Sequence, residues 1–444
     1  MTSPTRTPCL DPGQFSQTNV AVVGAGYVGL PTAATLASFG HNVVCADSDQ
    51  NKIRLLNSGI SPIAEPGLEE LMAPSIAAGN LSFVSNAARA VERASVIFLC
   101  LPTPQSGDGS ADLSAVEAVS REVAHLIPKN ATVVMKSTVP IGTSTRIAHL
   151  LRRPDISVVS NPEFLREGFA VSESLSPERI VVGSSRPGAA QEVANLFAPS
   201  AAPVIVTDSS TAEAMKYAAN AFLATKLSFI NAIAGLCEVV GADVEDIVTG
   251  LGLDSRIGGK FLSPGPGWGG SCLPKDTAAL AAIARINNYE FPLLDQVIAT
   301  NETQLNHVVD KVAAVNRGLF GANIAVWGLT FKAGTDDRRD SPSLDIAKRL
   351  LSKGAAITAF DPSITQSSLQ DPDLASFDVT LDPYEAARDA DVLVILTEWE
   401  DFADPDLAKL MSIMAHPRIV DARNILDPFS ARAAGFIYDS IGRR

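Results

Sequence analysis

The sequence is poor in histidine, in paired cysteines and in positive charge. Its five histidines (His41, His125, His149, His307 and His416) avoid every motif loop and form no ligand cluster, which argues against a metal centre or a histidine-based dehydrogenase. Its five cysteines (Cys9, Cys45, Cys100, Cys237 and Cys272) are odd in number, widely spaced and without a C-x-x-C pair. Neither a disulfide framework nor a zinc site is indicated. Lysine and arginine number 35 against 49 aspartates and glutamates, a net charge of −14. Nucleic acid and an anionic membrane surface are therefore excluded as main partners, while a small anionic molecule can still be held by local cations and helix ends. No signal peptide and no apolar run of transmembrane length is found, so the expectation is a cytoplasmic protein that binds no membrane.

What is present is ample core material. Of 444 residues, 46% are hydrophobic and 19% charged, enough for two or three domains. The first seventeen residues are rich in Pro, Thr and Ser and read as a disordered tail.

The chain is organised around Lys260–Asp276, K-F-L-S-P-G-P-G-W-G-G-S-C-L-P-K-D, with four glycines and three prolines. Such a stretch must be a loop with positive-φ positions. Cys272 lies in it, followed by Lys275 and by Asp276, which reads as the N-cap of the next helix. A helix N-terminus and a nearby cation both favour a thiolate, so Cys272 is a candidate nucleophile; a small buried hydrophobe is the other reading.

Ahead of that loop the pattern is α/β. Residues 19–23 form an apolar run that leads into G-A-G-Y-V-G, then a helical stretch and a second strand ending at Asp47. This is the context a dinucleotide fold requires: Gly24 for the tight turn, Gly26 for approach to a pyrophosphate, Gly29 for close helix packing. Asp47 can accept both ribose hydroxyls and repel a 2′-phosphate, which favours NAD, while Lys52 and Arg54 keep NADP open. Strands are expected at 95–101, through K-S-T-V-P (136–140), and into N-P-E-F-L-R-E-G (161–168). Ligands bind beyond the carboxyl ends of parallel strands, so Thr103, Thr138 and Glu163 aim at one crevice. Glu163 and Glu167, four apart, would share a face if a helix starts there.

From about residue 210 the texture becomes helical to Gly241, with Lys216 and Asn220 four apart on an otherwise apolar surface. A buried Lys–Asn pair needs a ligand or partner; a lysine reaching out to solvent is the alternative. Two more helices are expected, from Asp276 to about 288 and from Pro292 to about 316. After residue 318 an α/β pattern returns without a glycine fingerprint. It has a cationic loop (Lys332, Arg338, Arg339) suited to a bulkier anion, and strands at 390–397 and 418–424 that close the sheet.

Taken together, these motifs resemble the UDP-glucose/GDP-mannose dehydrogenase family. The match runs from about Val20 to Pro428 and rests on G-x-G-Y-V-G, K-S-T-V-P, N-P-E-F-L-R-E-G, K-x-x-A-N-A-F-L-A, R-I-G-G-K-F-L, G-W-G-G-S-C-L-P-K-D, F-K-x-x-T-D-D-x-R-x-S and D-A-R-N. The resemblance implies two Rossmann-like doubly wound α/β domains joined by a central helical domain, divided as 18–209, 210–317 and 318–444. It also implies a homodimer or higher homo-oligomer, with Arg256 reaching in from a neighbouring subunit. The implied activity is oxidation of an alcohol twice to the acid by two NAD, without release of the aldehyde. R-I-G-G-K-F-L points to UDP-glucose as the nucleotide sugar, with GDP-mannose as the alternative.

The same resemblance assigns roles. Cys272 carries the substrate as thiohemiacetal and thioester; Asp276 with a water acts as base; Lys216 and Asn220 stabilise the oxyanion; Glu163 and Thr138 serve hydrolysis. For the cofactor it adds Tyr27, Val28, Lys52, Thr103, Thr138, Glu167, Lys275 and Arg339 to the three glycines and Asp47. For the substrate it implies Phe164, Leu165, Arg256, Lys260, Phe261 and Gly269, and beyond the helical middle Phe331, Lys332 and Arg423. Trp268 stands where the family usually has Phe or Tyr, and is expected to change the size of the sugar pocket.

Overall fold

The computed structural model describes residues 16–443. The tail expected at 1–17 lies outside them, except for Ser16 and Gln17; the latter donates its side-chain amide to Asn42 at 3.0 Å. The chain separates into two compact units, one running to Ala219 and including Ala278–Asn288, the other comprising Asn220–Thr277 and the remainder from Tyr289.

The first unit is built on strands β1 (Asn19–Val23), β2 (Asn42–Ala46), β3 (Leu81–Val84), β4 (Val96–Leu99), β5 (Thr132–Met135), β6 (Ser157–Ser160), β7 (Ile180–Gly183) and β8 (Val204–Thr207). Their order is β3-β2-β1-β4-β5-β6-β7-β8, with every pairing parallel except β6 with β7. Side chains alternate across the sheet. Val20 and Val22 enter a core with Leu30, Leu36 and Phe98, while Ala21 and Val23 enter one with Ile97, Val116 and Ile147. Burial on both faces explains why central strands such as β1, β4 and β5 read as apolar runs. The order reverses at β1, between β2 and β4, the switch point at which such sheets bind ligands.

The second unit repeats the device with β9 (Asn323–Trp327), β10 (Ala356–Phe360), β11 (Asp378–Val379), β12 (Val392–Ile395), β13 (Arg418–Asp421) and β14 (Ile437–Ser440), all parallel in the order β11-β10-β9-β12-β13-β14. The sheet is therefore closed by β14, not by the strand at 418–424. Ile230 and Ala234 of the helix Ser209–Val240, with Val308 and Val312 of the helix Pro292–Asn316, cover Ile324 and Val326 on one face. The fold class is the expected one: two α/β parts, the first mostly and the second wholly parallel, and a helical middle. The expectation of no apolar run of transmembrane length needs correcting. Ser209–Val240 is long and apolar enough to cross a membrane by length and composition, with a third of its most apolar window buried within the chain. That criterion is also met by helices packed in protein cores and interfaces.

Candidate active site

The glycine turn after β1 is explained residue by residue. Gly24 has φ +104°, and a Cβ there would sit 2.3 Å from the Cys100 carbonyl oxygen. At Gly29 a Cβ would come within 1.8 Å of the Gly24 oxygen, so the helix Gly29–Ser38 could not approach the strand. Gly26 differs, since a Cβ would meet nothing within 4 Å and the backbone faces open space. Beside it, that helix starts at Val28 with no side-chain cap, leaving backbone N–H groups for an anion. Tyr27 completes the turn. Asp47, just past β2, accepts from Ala25 N and Asp49 N, both at 2.9 Å, with Lys52 Nζ at 4.0 Å. Arg54 is engaged with Asn51. Open glycine, uncapped helix and fixed carboxylate fit a dinucleotide. Thr103 donates to the Thr138 carbonyl at 2.8 Å and so ties the ends of β4 and β5 together.

Lys216 does not reach solvent. Both it and Glu163 are buried, with Nζ and Oε1 2.9 Å apart, and Leu165 N donates to the other carboxylate oxygen at 2.6 Å. Burial pushes the Glu163 carboxyl up, but the charge and hydrogen bond of Lys216, the Leu165 N–H and the charge of Lys136 together hold it below the ordinary range. Lys216 also lies 5.4 Å from the centre of the Phe164 ring, and the Arg179 guanidinium lies 4.0 Å from it. The shared helical face expected for Glu163 and Glu167 is absent. Asn161-Pro162 favours extended chain, Gly168 has φ +79°, and helix appears only at Ala170–Leu175. Glu65, which sequence reasoning missed, holds this loop by accepting from Gly168 N at 2.8 Å and Ala170 N at 2.7 Å.

In the second unit, the helix after the cysteine loop starts earlier than expected, at Leu273. The Cys272 carbonyl accepts from Asp276 N at 3.0 Å, so Cys272 occupies the N-cap position and Asp276 lies inside the first turn. The reason is Pro274, which lacks an N–H and suits a first helical turn. Asp276 is buried, accepting from Asn220 Nδ2 and from Lys275 Nζ, each at 2.5 Å. Lys275 is thus engaged with that carboxylate. Cys45, Cys100 and Cys237 are buried, and burial pushes their thiols up. Among the described residues Cys272 is the only cysteine that is not buried.

Buried amides fix the loop. Gly265 N donates to Asn231 and its carbonyl accepts from Gln304, both at 2.8 Å. Asn301 bonds both backbone groups of Trp268. The Trp268 ring packs with Ala224 and Val297, its indole N–H on Ser228 at 2.8 Å. That places Trp268 in the core as an anchor for the loop. Gly269 and Gly270 are obligatory, because a Cβ would lie 2.1 Å from the Asp340 oxygen and 2.7 Å from the Phe331 ring respectively. The signal for these contacts was present as lone polar residues on otherwise apolar helix faces.

Arg423, past β13, donates to the Leu396 carbonyl at 2.8 Å and the Phe331 carbonyl at 3.0 Å, and pairs with Glu398. It therefore braces the loop carrying Phe331 and Lys332, whose ammonium lies 5.6 Å from the Phe331 ring centre. Arg339 forks onto Asp337. Arg256 is exposed and forks onto Asp254, while Lys226 holds the neighbouring carbonyls of Ile257 and Gly258. Lys260 is exposed and Phe261 takes φ +60°. Asp361, the counterpart of Asp47 after β10, is filled by the protein. It accepts from Leu329 N, Thr330 N, Ser363 N, two hydroxyls and the Trp399 indole. No acceptor face is left there for a ribose, consistent with the missing fingerprint.

Comparison with known proteins adds the following. Residues 18–201 match the NAD binding domain of the UDP-glucose/GDP-mannose dehydrogenase family, 210–303 its central domain and 325–428 its UDP binding domain. The chain is 45% identical to a UDP-glucose 6-dehydrogenase of Rhizobium meliloti, over 96% of this chain and 99% of that one. It is 44% identical to one of Bacillus subtilis, over 96% and 93%. A UDP-glucose dehydrogenase from the archaeon Pyrobaculum islandicum superimposes with a TM-score of 0.90 at 34% identity, covering 98% of this chain and all of that one.

Proposed function

The chain belongs to the UDP-glucose/GDP-mannose dehydrogenase family, and from that premise we propose that it oxidises UDP-glucose to UDP-glucuronate with two NAD. The observation that carries this reading is Cys272 at the N-cap of its helix, one turn from a buried Asp276. NAD, when bound, supplies the two-electron acceptor for each oxidation, held by Gly24–Gly29 and Asp47. Asp276, through a water, takes the proton of the C6 hydroxyl, and Lys216 and Asn220 stabilise the alkoxide. Loss of the first hydride from C6 leaves an aldehyde, to whose carbon the Cys272 thiolate adds, forming a C–S bond and a thiohemiacetal; loss of the second hydride leaves a thioester. Glu163 and Thr138 direct a water onto it, the C–S bond breaks, and the thiolate is restored. In balance, the alcohol and one water give the carboxylate, two NADH and three protons.

The substrate assignment rests on the UDP binding domain and the UDP-glucose-acting relatives; GDP-mannose is the alternative. Arg256, Lys260, Lys332 and Arg423 are assigned to the nucleotide sugar, and Glu167, Lys275 and Arg339 to the cofactor side. The division 18–209, 210–317 and 318–444 is retained, with a cytoplasmic homodimer as the working form. Phe222, Phe229, Leu236, Val239 and Val240, exposed along the helix Ser209–Val240, support pairing of subunits there. A panel of nucleotide sugars with NAD, followed by NADH absorbance, tests the reading. UDP-glucose should give two NADH per molecule, whereas one NADH with free aldehyde would refute it.

A further inference from the structure

Strand β5 runs into Lys136, which takes no part in the chemistry just described. The side chain is buried; Nζ donates to Asn161 Oδ1 at 3.0 Å and lies 5.3 Å from the centre of the Phe197 ring. Asn161 donates its amide to the Val181 carbonyl at 2.7 Å and its backbone N–H to Met135 O at 2.9 Å. It stands two residues before Glu163, so the lysine grips the chain where it leaves β6 for that carboxylate. The titratable groups facing Lys136 are Cys100, Glu163 and Lys216. Burial drives the Cys100 thiol up to about 12, which leaves Glu163 as the counter-charge at neutral pH. A buried ammonium is costly unless its charge is used or compensated.

We propose that Lys136 is a positioning residue for the hydrolytic half of the reaction, fixing the chain into Glu163 through Asn161 and giving that carboxylate a second positive neighbour beside Lys216. The inference rests on the role given above to Glu163. Lys216 is assigned to the alkoxide in the first oxidation and cannot serve Glu163 throughout. Lys136, tied to Asn161, is the charge that stays in place. Burial lowers Lys136 to about 8, which still leaves it mostly protonated at pH 7.

The test follows the covalent species on Cys272 by rapid quench and mass spectrometry of its peptide, together with the pH dependence of kcat, in the full-length protein. Lys136→Met should slow breakdown of that species about tenfold, with KM for both substrates held within about twofold. It should also move the acid limb of kcat up by about one pH unit, while Lys136→Arg keeps the limb in place. Should Lys136→Met alone not fold, the pair Lys136→Met/Asn161→Leu, which removes donor and acceptor together, should show the same shift. An unmoved acid limb in the Met variants overturns the inference, as does Lys136→Arg with its limb displaced like that of Lys136→Met. Glu163→Gln is the reference. Unchanged breakdown there overturns the role of Glu163 and this inference with it; breakdown lost there, with limbs unmoved in the Lys136 variants, overturns this inference alone.

Discussion

Asn220 donates its side-chain amide to Asp276 Oδ2 at 2.5 Å, and both side chains are buried. The bond links the helix Ser209–Val240 to the first turn of the helix that Cys272 caps. Asn220→Ala removes the donor and leaves a buried carboxyl oxygen without it, which should cost about 1–3 kcal/mol of stability. Urea unfolding measures this. Turnover should fall as well, since the same amide is assigned to the oxyanion; unchanged stability and turnover would show the bond to be incidental.

The glycine turn separates packing from binding. Gly26→Ala has open space for its Cβ, so thermal stability should stay near that of the parent while NAD binding weakens about tenfold or more, ~1.4 kcal/mol. Gly29→Ala drives a Cβ against the Gly24 carbonyl and should destabilise the fold by about 1–3 kcal/mol or more. Calorimetric NAD titration beside thermal melts tells the two apart. Equal effects of both changes would contradict the assignment of Gly26 to the pyrophosphate.

Lys136 also makes stability depend on pH. Its burial lowers it from 10.5 to about 8. Between those values the unfolded chain holds a proton that the native chain has released, so this group's contribution to stability rises with pH across the window. It is lost again as pH falls through 8. Lys136→Met should flatten that rise in urea unfolding series between pH 7.5 and 10; an equal rise in parent and variant would contradict it.

The sequence disclosed most of the frame because its signals are local. The apolar run, glycine turn and terminal acid of 19–47 fix one βαβ unit without knowledge of distant contacts. Cys272 stood out because glycines and prolines around it exclude regular structure. Contacts set by tertiary packing were not legible. Asp276 reads as an N-cap by residue type, and only the backbone shows that Pro274 lets the helix begin earlier. Glu65 lies a hundred residues from the loop it caps, and Asn161 gave no sign of holding Lys136. The edge strand Ile437–Ser440 was missed because its I-Y-D-S lacks the apolar continuity of the central strands. That the Trp268 ring turns into the core onto Ser228 was likewise beyond local reading, since its partners lie on distant helices.

The proposed reaction depends most on the thiol of Cys272, and the most direct measurement is NADH production from UDP-glucose by Cys272→Ser, with Cys237→Ser as the control. The hydroxyl is nearly isosteric, so a structural cysteine predicts a loss within about 0.5–3 kcal/mol of stability and near-normal turnover. A nucleophile predicts that turnover collapses while UDP-glucose and NAD still bind, with any slowly hydrolysed ester seen as added mass on the peptide containing residue 272. The buried Cys237 change should leave turnover intact. Steady-state NADH production by Cys272→Ser within a few-fold of the parent would contradict the covalent mechanism.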